Sequence, residues 1–423
     1  MSNYNHTMKS EIIVIGDELL IGQVLDTNSK WMATELNKQG CEVTRIITIS
    51  DNAEDITEAI SSAFLRVDVV LMTGGLGPTS DDVTKPVLCR YFGGKMIFDN
   101  SVYEQNLRYF SARGLQMNES TRRQAEVPDV CTVIPNPVGT APIMWFEQGT
   151  KVLVAMPGVP NEMRVAMQGE VLQRLRTHYG DHDAILHRTL MVFRNTESGL
   201  SERLTTFEAE LPSFIKLAYL PIPGVVRLRL TARGNDEALL SKNLDEMVEK
   251  LRNILGNDIF CEEDTTLGGA LGKILLEKGL SVATAESCTG GNIAHEITLI
   301  SGSSAYFNGS VVAYSNDVKQ RVLGVSEEML AQNGAVSQPV VEAMATGVMR
   351  LANTTCAIAT SGIAGPDGGT PDKPVGTVWM AVCCGDKVVS ECGHFVGTRA
   401  FIIERATQRA IMMLVDLLLR CDC

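Results

Sequence analysis

The run Val69-Val70-Leu71-Met72-Thr73-Gly74-Gly75-Leu76-Gly77-Pro78-Thr79-Ser80-Asp81-Asp82-Val83-Thr84 sets the fold class of this chain. Its first five residues read as a buried strand that ends on paired glycines and then on a polar, acidic loop. The same grammar holds on either side. Residues 11–16 (Glu-Ile-Ile-Val-Ile-Gly) form another apolar strand ending on glycine, and a helical pattern follows from Thr27 through Trp31, Ala33 and Leu36. Gly40–Ile49 reads as a strand and Ala53–Leu65 as an amphipathic helix. Lys151–Met156 is a later strand, closed by Pro157-Gly158-Val159-Pro160. Alternation of strands and helices predicts an α/β domain over residues 1–170, with a parallel sheet covered by helices on both faces.

The remainder divides in two. Over 171–257 the reading is a small α+β module: Arg188–Arg194 and Val225–Ala232 as strands, Ser198–Leu211 and Leu239–Leu255 as helices. Over 258–423 a second α/β pattern begins. Its helices are Leu267–Lys278, a short one near Ile293 and the long final Arg399–Leu419. Its strands are Ser281–Ala285, Cys356–Thr360, Val375–Val382 and Lys387–Phe395. No internal repeat or low-complexity linker interrupts this order.

The chain has 423 residues, room for two to four domains of about 100–200 residues each. With 37 Lys+Arg against 50 Asp+Glu its formal net charge is −13, which argues against a general nucleic-acid coat. The middle module is nearly neutral, with 13 basic and 12 acidic residues between positions 164 and 252. Apolar runs stay short (Ala410–Leu419 is broken by Asp416), so no membrane span is expected. The polar start (Ser2 to His6) shows no export signal, and Met8 is an alternative first residue. Eleven scattered cysteines with no Cys-x-x-Cys read as small apolar fillers in a reducing cytoplasm, not as zinc ligands. His178 and His182 lie four apart in a polar stretch, read as a solvated loop.

Three polar clusters fall at strand ends, where open α/β sheets bind ligands. They are Gly16-Asp17-Glu18-Leu19-Leu20-x-Gly22 with Asp26-Thr27-Asn28-Ser29, the glycine run above, and Asn136-Pro137-x-Gly139-Thr140-Ala141-Pro142. Glycine lets backbone N–H groups approach phosphate, and neighbouring carboxylates can hold a hard cation. Together they point to a metal-assisted phosphoryl or pyrophosphate site. The plainer reading is a glycine turn with Thr79 and Asp81 as helix caps. Gly74–Gly77 has neither the lysine of a Walker loop nor the spacing of a dinucleotide turn.

In the last domain Thr284-Ala285-Glu286-Ser287-Cys288-Thr289-Gly290-Gly291 leaves a strand and opens a helix. That places a hydroxyl by a helix N-terminus, whose N–H groups could stabilise an oxyanion or bind phosphate. Asn308-Gly309-Ser310-Val311-Val312-Ala313-Tyr314, Asn316, Lys319, the loop Thr360–Gly369 and Pro374-Val375-Gly376-Thr377-Val378 follow. Serine needs a base. His295 sits within the helix and reads as a surface or packing residue, so the available base is Lys319, acting directly or relayed by Tyr314. A lysine titrates near ~10.4 and would have to be desolvated to accept a proton at neutral pH. From spacing alone Lys319 reads as a solvated residue at a helix start, and Cys288 stands as a rival nucleophile.

The glycine run resembles the molybdopterin-binding fold of the MogA/MoeA type. Taken with Gly-Asp-Glu-Leu-Leu-x-Gly, Asp-Thr-Asn-Ser and Met156-Pro-Gly-Val-Pro-Asn-Glu162-Met163, it is similar to the N-terminal domain of the CinA family. The Thr284–Gly291 run, the Asn308–Tyr314 run with Asn316 and Lys319, and the Thr360–Gly369 and Pro374–Val378 runs resemble that family's C-terminal, nicotinamide-nucleotide amidohydrolase domain. The likeness extends to Lys216-Leu-Ala-Tyr-Leu-Pro221 in the middle. It implies a molybdopterin-binding-like α/β sandwich, a small α+β module and a C-terminal α/β amidohydrolase domain.

The resemblance implies two activities. The first domain would cleave ADP-ribose to AMP and ribose 5-phosphate with a divalent metal (magnesium, manganese or cobalt) and a potassium ion as a further option. Asp82 and Asp51 would be its functional acids, and Asp17, Glu18, Asp81 and Asp82 its metal ligands. Gly74, Gly75, Gly77, Thr79, Asn136, Gly139 and Thr140 would hold substrate. The last domain would deamidate nicotinamide mononucleotide without a metal, through Ser287, Tyr314 and Lys319. Thr289, Gly290, Gly291, Asn308, Gly362, Gly365 and Arg399 would bind its substrate. A homodimer with nucleotide substrates, in the cytoplasm and with no nucleic acid or membrane partner, completes the expectation. The alternative is a pterin- or nucleotide-binding scaffold. The chain departs from the family at Val159, at Asn195-Thr196-Glu197-Ser198, at Thr398 (usually Asp) and at Ile403 (often a second arginine).

Overall fold

The computed structural model describes residues 8–79, 82–180, 183–193, 195–222 and 224–420. The chain forms two compact units, Met1–Leu186 with Ala232–Asn243, and His187–Thr231 with Leu244–Cys423.

The first unit is built on a six-stranded sheet in the order Glu42–Ile49, Lys9–Ile15, Val69–Thr73, Lys151–Met156, Ile143–Gln148, Thr132–Ile134. The strands alternate so cleanly that each feeds two cores. Ile12 and Val14, Val69 and Leu71, and Val152 and Val154 face Met32, Leu36, Met163 and Ala166 on one side. Ile13 and Ile15, Val70 and Met72, and Leu153 and Ala155 face Ile56, Ile60, Val87 and Leu88 on the other. This is the pattern of strands buried on both faces. The first four strands are parallel, as expected. The last two are not: Ile143–Gln148 runs antiparallel to Lys151–Met156, and Thr132–Ile134 antiparallel to Ile143–Gln148. The sheet is therefore mixed. The hairpin turns at Gly149, whose φ of 63° suits glycine.

An excursion over 96–128, also unforeseen, pairs Met96–Phe98 with Glu126–Pro128 and carries the helix Asn100–Ser111. His178, read above as part of a solvated loop, instead sits in the last turn of the helix Leu172–Tyr179, its ring edge-on to Trp145 and Tyr179. His182 lies outside the described residues.

A four-stranded sheet in the order Ile215–Ile222, Val225–Gly234, Ala184–Phe193, Ile259–Cys261 carries the middle of the chain, flanked by the helices Glu197–Ala209 and Glu237–Leu255. The strand Ile215–Ile222 was not expected.

The second unit holds a five-stranded sheet in the order Phe307–Val312, Val282–Glu286, Cys356–Gly362, Thr377–Cys384, Lys387–His394. Its first three strands run parallel, the fourth runs antiparallel to them, and the fifth is antiparallel to the fourth. Leu267–Lys278 and Arg399–Arg420 cover one face, and Gln338–Ala352 the other. Thr266 caps the first of these helices by accepting from Gly269 N, and left-handed Gly279 ends it. Cys356, Cys383 and Cys384 are buried, small fillers in this core. Among the described residues, no helix is long and apolar enough to cross a membrane.

Candidate functional site

In the second unit three parallel strands end at one edge, and their following loops meet there. Val282–Glu286 delivers Ser287, and Cys356–Gly362 delivers Ser361 and Gly362. Phe307–Val312 leads to Tyr314 and to the short helix Asn316–Arg321, which Ser315 caps by accepting from Val318 N. That cap turns Lys319 back under the sheet edge. Its side chain is only 1% exposed. Lys319 Nζ lies 3.1 Å from Ser287 Oγ and donates to Ala313 O at 2.8 Å.

Residues 32 apart in sequence are thus brought into direct contact, and Lys319 is not the solvated residue that spacing suggested. Burial pushes its ammonium below the usual lysine value, with Cys288 acting weakly the other way. No carboxylate pairs with Lys319 among the described ion pairs. Burial pushes the Cys288 thiol up to about 12. A thiol so protonated is a poor nucleophile at neutral pH, which weighs against Cys288 as the rival to Ser287.

Tyr314 is no relay. It is 62% exposed, and its hydroxyl accepts from Arg399 Nη2 at 2.8 Å. Arg399 Nη1 also donates to Gly365 O at 2.6 Å. Ser287, Lys319, Tyr314, Gly362 and Arg399 together line a cavity of about 230 Å³ whose described lining holds two basic and no acidic side chains. Lys373 Nζ, held by Asn333 O and Val336 O at 3.1 and 2.8 Å, secures the loop above it.

Four expected binding residues are placed elsewhere. Thr289 is buried with its hydroxyl on Glu286, and Gly290 N donates to Ser287 O. Gly291 N donates to Glu286, so the helix start is already occupied by a side chain and does not face the cavity as an open N–H cluster. Asn308 stands at the far end of its strand and donates to Ala352 O. Glu286 carried no role in the sequence reading. His295 is exposed, as expected of a surface residue.

In the first unit the parallel strands again end together. Gly16 N donates to Ile49 O and Gly74 N to Met156 O. The glycines answer a steric need: a Cβ at Gly74 would lie 2.1 Å from Ile15 O, and one at Gly75 2.1 Å from Thr84 Oγ1. Asp82 accepts from Gly77 N at 2.7 Å and Thr79 N at 2.9 Å, and also from the Thr79 hydroxyl. The N–H groups of Gly74, Gly77 and Thr79 are therefore held within the protein, and these residues shape the loop.

Asp51 accepts from Asp17 N at 3.2 Å. Burial raises its carboxyl above the usual value, and Asp17, Glu18 and Asp82 add like-charge pressure. In the third cluster Asn136 Nδ2 donates to Ala141 O and to Glu162 Oε2, at 2.9 and 2.7 Å. Glu162 fills the space a side chain at Gly139 would need, which accounts for that glycine, and Thr140 is half-buried beside it.

Among the described residues no three His, Cys, Asp or Glu side chains gather closely enough to enclose a metal, and Asp81 lies outside them. The donors present still suit a hard cation of the magnesium type, which is commonly held by one or two carboxylates together with substrate phosphates. The like-charge pressure on Asp51 is the observation that fits such an ion.

Three family models cover the chain: a probable molybdopterin binding domain over 11–177, the damage-inducible protein CinA KH domain over 187–261 and the CinA C-terminal domain over 264–418. A CinA-like protein of Flavobacterium psychrophilum is 45% identical over 418 residues, spanning 98% of this chain and 99% of that one. A CinA-like protein of Cytophaga hutchinsonii is 40% identical over 386 residues, spanning 91% and 92%. The crystal structure of the competence/damage inducible protein CihA of Agrobacterium tumefaciens is 38% identical and aligns with a TM-score of 0.35 over 36% of this chain and 93% of that one. The chain belongs to the CinA family, the competence/damage-inducible proteins that carry a molybdopterin-binding-like domain.

Proposed function

We propose that the second unit hydrolyses the carboxamide of nicotinamide mononucleotide to nicotinate mononucleotide and ammonia. The 3.1 Å approach of a buried, carboxylate-free Lys319 to Ser287 carries this reading. In it, neutral Lys319 Nζ takes the Ser287 proton as Oγ attacks the carboxamide carbon. The tetrahedral adduct collapses, Lys319 returns the proton to the leaving nitrogen, and ammonia departs. Water, deprotonated by the same lysine, then cleaves the ester and frees Ser287. With Lys319 neutral, Arg399 is the charged basic side chain of the described lining, and it suits a phosphate-bearing substrate. Arg399→Gln is expected to raise KM for the mononucleotide about tenfold, the effect of losing a charged hydrogen bond, with a smaller change in kcat. Initial rates over a range of substrate concentrations check this.

For the first unit we propose hydrolysis of the pyrophosphate of ADP-ribose, giving AMP and ribose 5-phosphate. Asp51 and Asp82, with Asp17 and Glu18 close by, would hold a divalent cation jointly with substrate phosphates, where it would offset the charge of the pyrophosphate. Asp51 would also orient the attacking water. Asp82→Asn puts an amide N–H against the Gly77 or Thr79 N–H, so the loop loses an acceptor. AMP release is expected to fall at least about tenfold with deamidation unchanged. A second reading of this unit, pterin binding, is favoured by its match to the molybdopterin-binding model.

The test is ammonia release from nicotinamide mononucleotide beside AMP release from ADP-ribose, each with and without chelator. Chelator-resistant ammonia with chelator-sensitive AMP is expected. Neither product across several metals and pH values would leave the scaffold reading. Tight pterin binding without AMP release would favour the pterin reading of the first unit.

A further inference from the structure

We infer that Glu286 is a positioning residue for Ser287: its side chain closes a hoop around the turn that presents the nucleophile. Glu286 is fully buried at the last position of its strand. Its Oε2 accepts from Thr289 Oγ1 at 2.7 Å, Gly291 N at 3.0 Å and Ile293 N at 3.0 Å. Its Oε1 accepts from Ala294 N at 2.9 Å and Thr284 Oγ1 at 3.2 Å. Five donors converge on one carboxylate, and all but Thr284 lie three to eight residues beyond Glu286 in the chain.

The consequence is mechanical. Residues 287–290 are pinned between the strand end and the start of the helix Asn292–Thr298. Gly290 and Gly291, with φ of 63° and 101°, supply the reversal the hoop requires. The turn is fixed from the neighbouring strand as well. Ser287 N donates to Thr360 O at 3.0 Å, and Thr289 Oγ1 bonds Thr360 Oγ1 at 2.8 Å. Ser287 Oγ therefore has little freedom to leave Lys319. The five donors also saturate Glu286, so its charge is turned toward the helix start.

This rests on the reading of Ser287 as nucleophile. A glutamine at 286 has one acceptor oxygen and sets an NH₂ against N–H donors. Glu286→Gln is expected to lower kcat for deamidation about 10- to 100-fold, the range for a nucleophile displaced by about 1 Å, with KM within about twofold. Labelling of Ser287 by a fluorophosphonate serine probe, which needs no substrate, is expected to slow in parallel. Thr289→Val removes one donor and should slow both, and Thr289→Ser should restore them.

A folded Glu286→Gln protein with wild-type kcat and labelling rate would overturn the inference, as would a KM rise at unchanged kcat. Should Glu286→Gln not fold, the threonine pair decides: equal rates for valine and serine overturn it, and serine rescue supports it. If wild-type Ser287 is neither labelled nor active, the nucleophile reading falls and this inference with it. If wild type is labelled and active while the Glu286 and Thr289 variants match it, only this inference falls.

Discussion

Ser287→Ala protein is expected to release no measurable ammonia from nicotinamide mononucleotide, a loss on the order of 10³-fold or more. AMP release from ADP-ribose should stay within about twofold. The size of the first effect follows from the absence of a substitute. Cys288, the neighbouring thiol, is held protonated by burial at about 12. Without Ser287, Lys319 Nζ is left on the carbonyl oxygen of Ala313, which cannot serve as a nucleophile. The second effect follows from placement. Ser287 lies on the five-stranded sheet, while Asp51 and Asp82 lie at the edge of the six-stranded one. Parallel measurement of ammonia and AMP on one preparation checks both, and loss of the two activities together would contradict independent sites.

Lys319→Met is expected to abolish deamidation to a similar extent and to make the second unit more stable. Methionine places a side chain of similar length there without an amine to desolvate, a gain that outweighs the lost bond to Ala313 O. Lys319→Arg should be equally inactive, because a guanidinium stays protonated throughout the working range. The wild-type pH profile carries the sign. Neutral Lys319 is the active form, so kcat rises with pH, and its limb lies below the ordinary lysine value of ~10.4 because burial lowers the pKa. Linkage runs the same way. With the folded pKa below the unfolded one, the unfolded chain binds more protons between the two, and stability rises with pH across that window. Thermal melts of wild type and Lys319→Met over the neutral-to-alkaline range check this, and the difference between them should shrink as pH rises.

Much of the fold could be read directly. The alternation in Ile12 to Ile15 and Val69 to Met72, and the Thr266 cap with Gly279 at the end of Leu267–Lys278, are local signals with local causes. What escaped notice had no local cause. Ile143–Gln148 opens with four apolar residues like any buried strand, and its antiparallel sense is set by pairing with Lys151–Met156. Met96–Phe98 is three residues long and exposed, with no period to detect.

At the site, the strand-end serine turn and the cluster around Asp82 were visible as motifs. The burial of Lys319 was not, because a lysine carries no sequence mark of desolvation and its partner is 32 residues away. The Glu286 hoop was hidden for a related reason. Its main partners are backbone N–H groups, which every non-proline residue has. Likewise, the glycine N–H groups looked free for phosphate until Asp82 and Met156 were seen to occupy two of them.

The central claim is that Ser287, activated by Lys319, forms an ester with the acyl group of its substrate. Acid quenching of the protein during turnover of nicotinamide mononucleotide, followed by peptide mass measurement, tests it most directly. A nicotinate mononucleotide adduct on the peptide bearing Ser287, absent from the Ser287→Ala protein, is the expected result. Ammonia release accompanied by an adduct on Cys288, or undiminished in the Ser287→Ala protein, would contradict it.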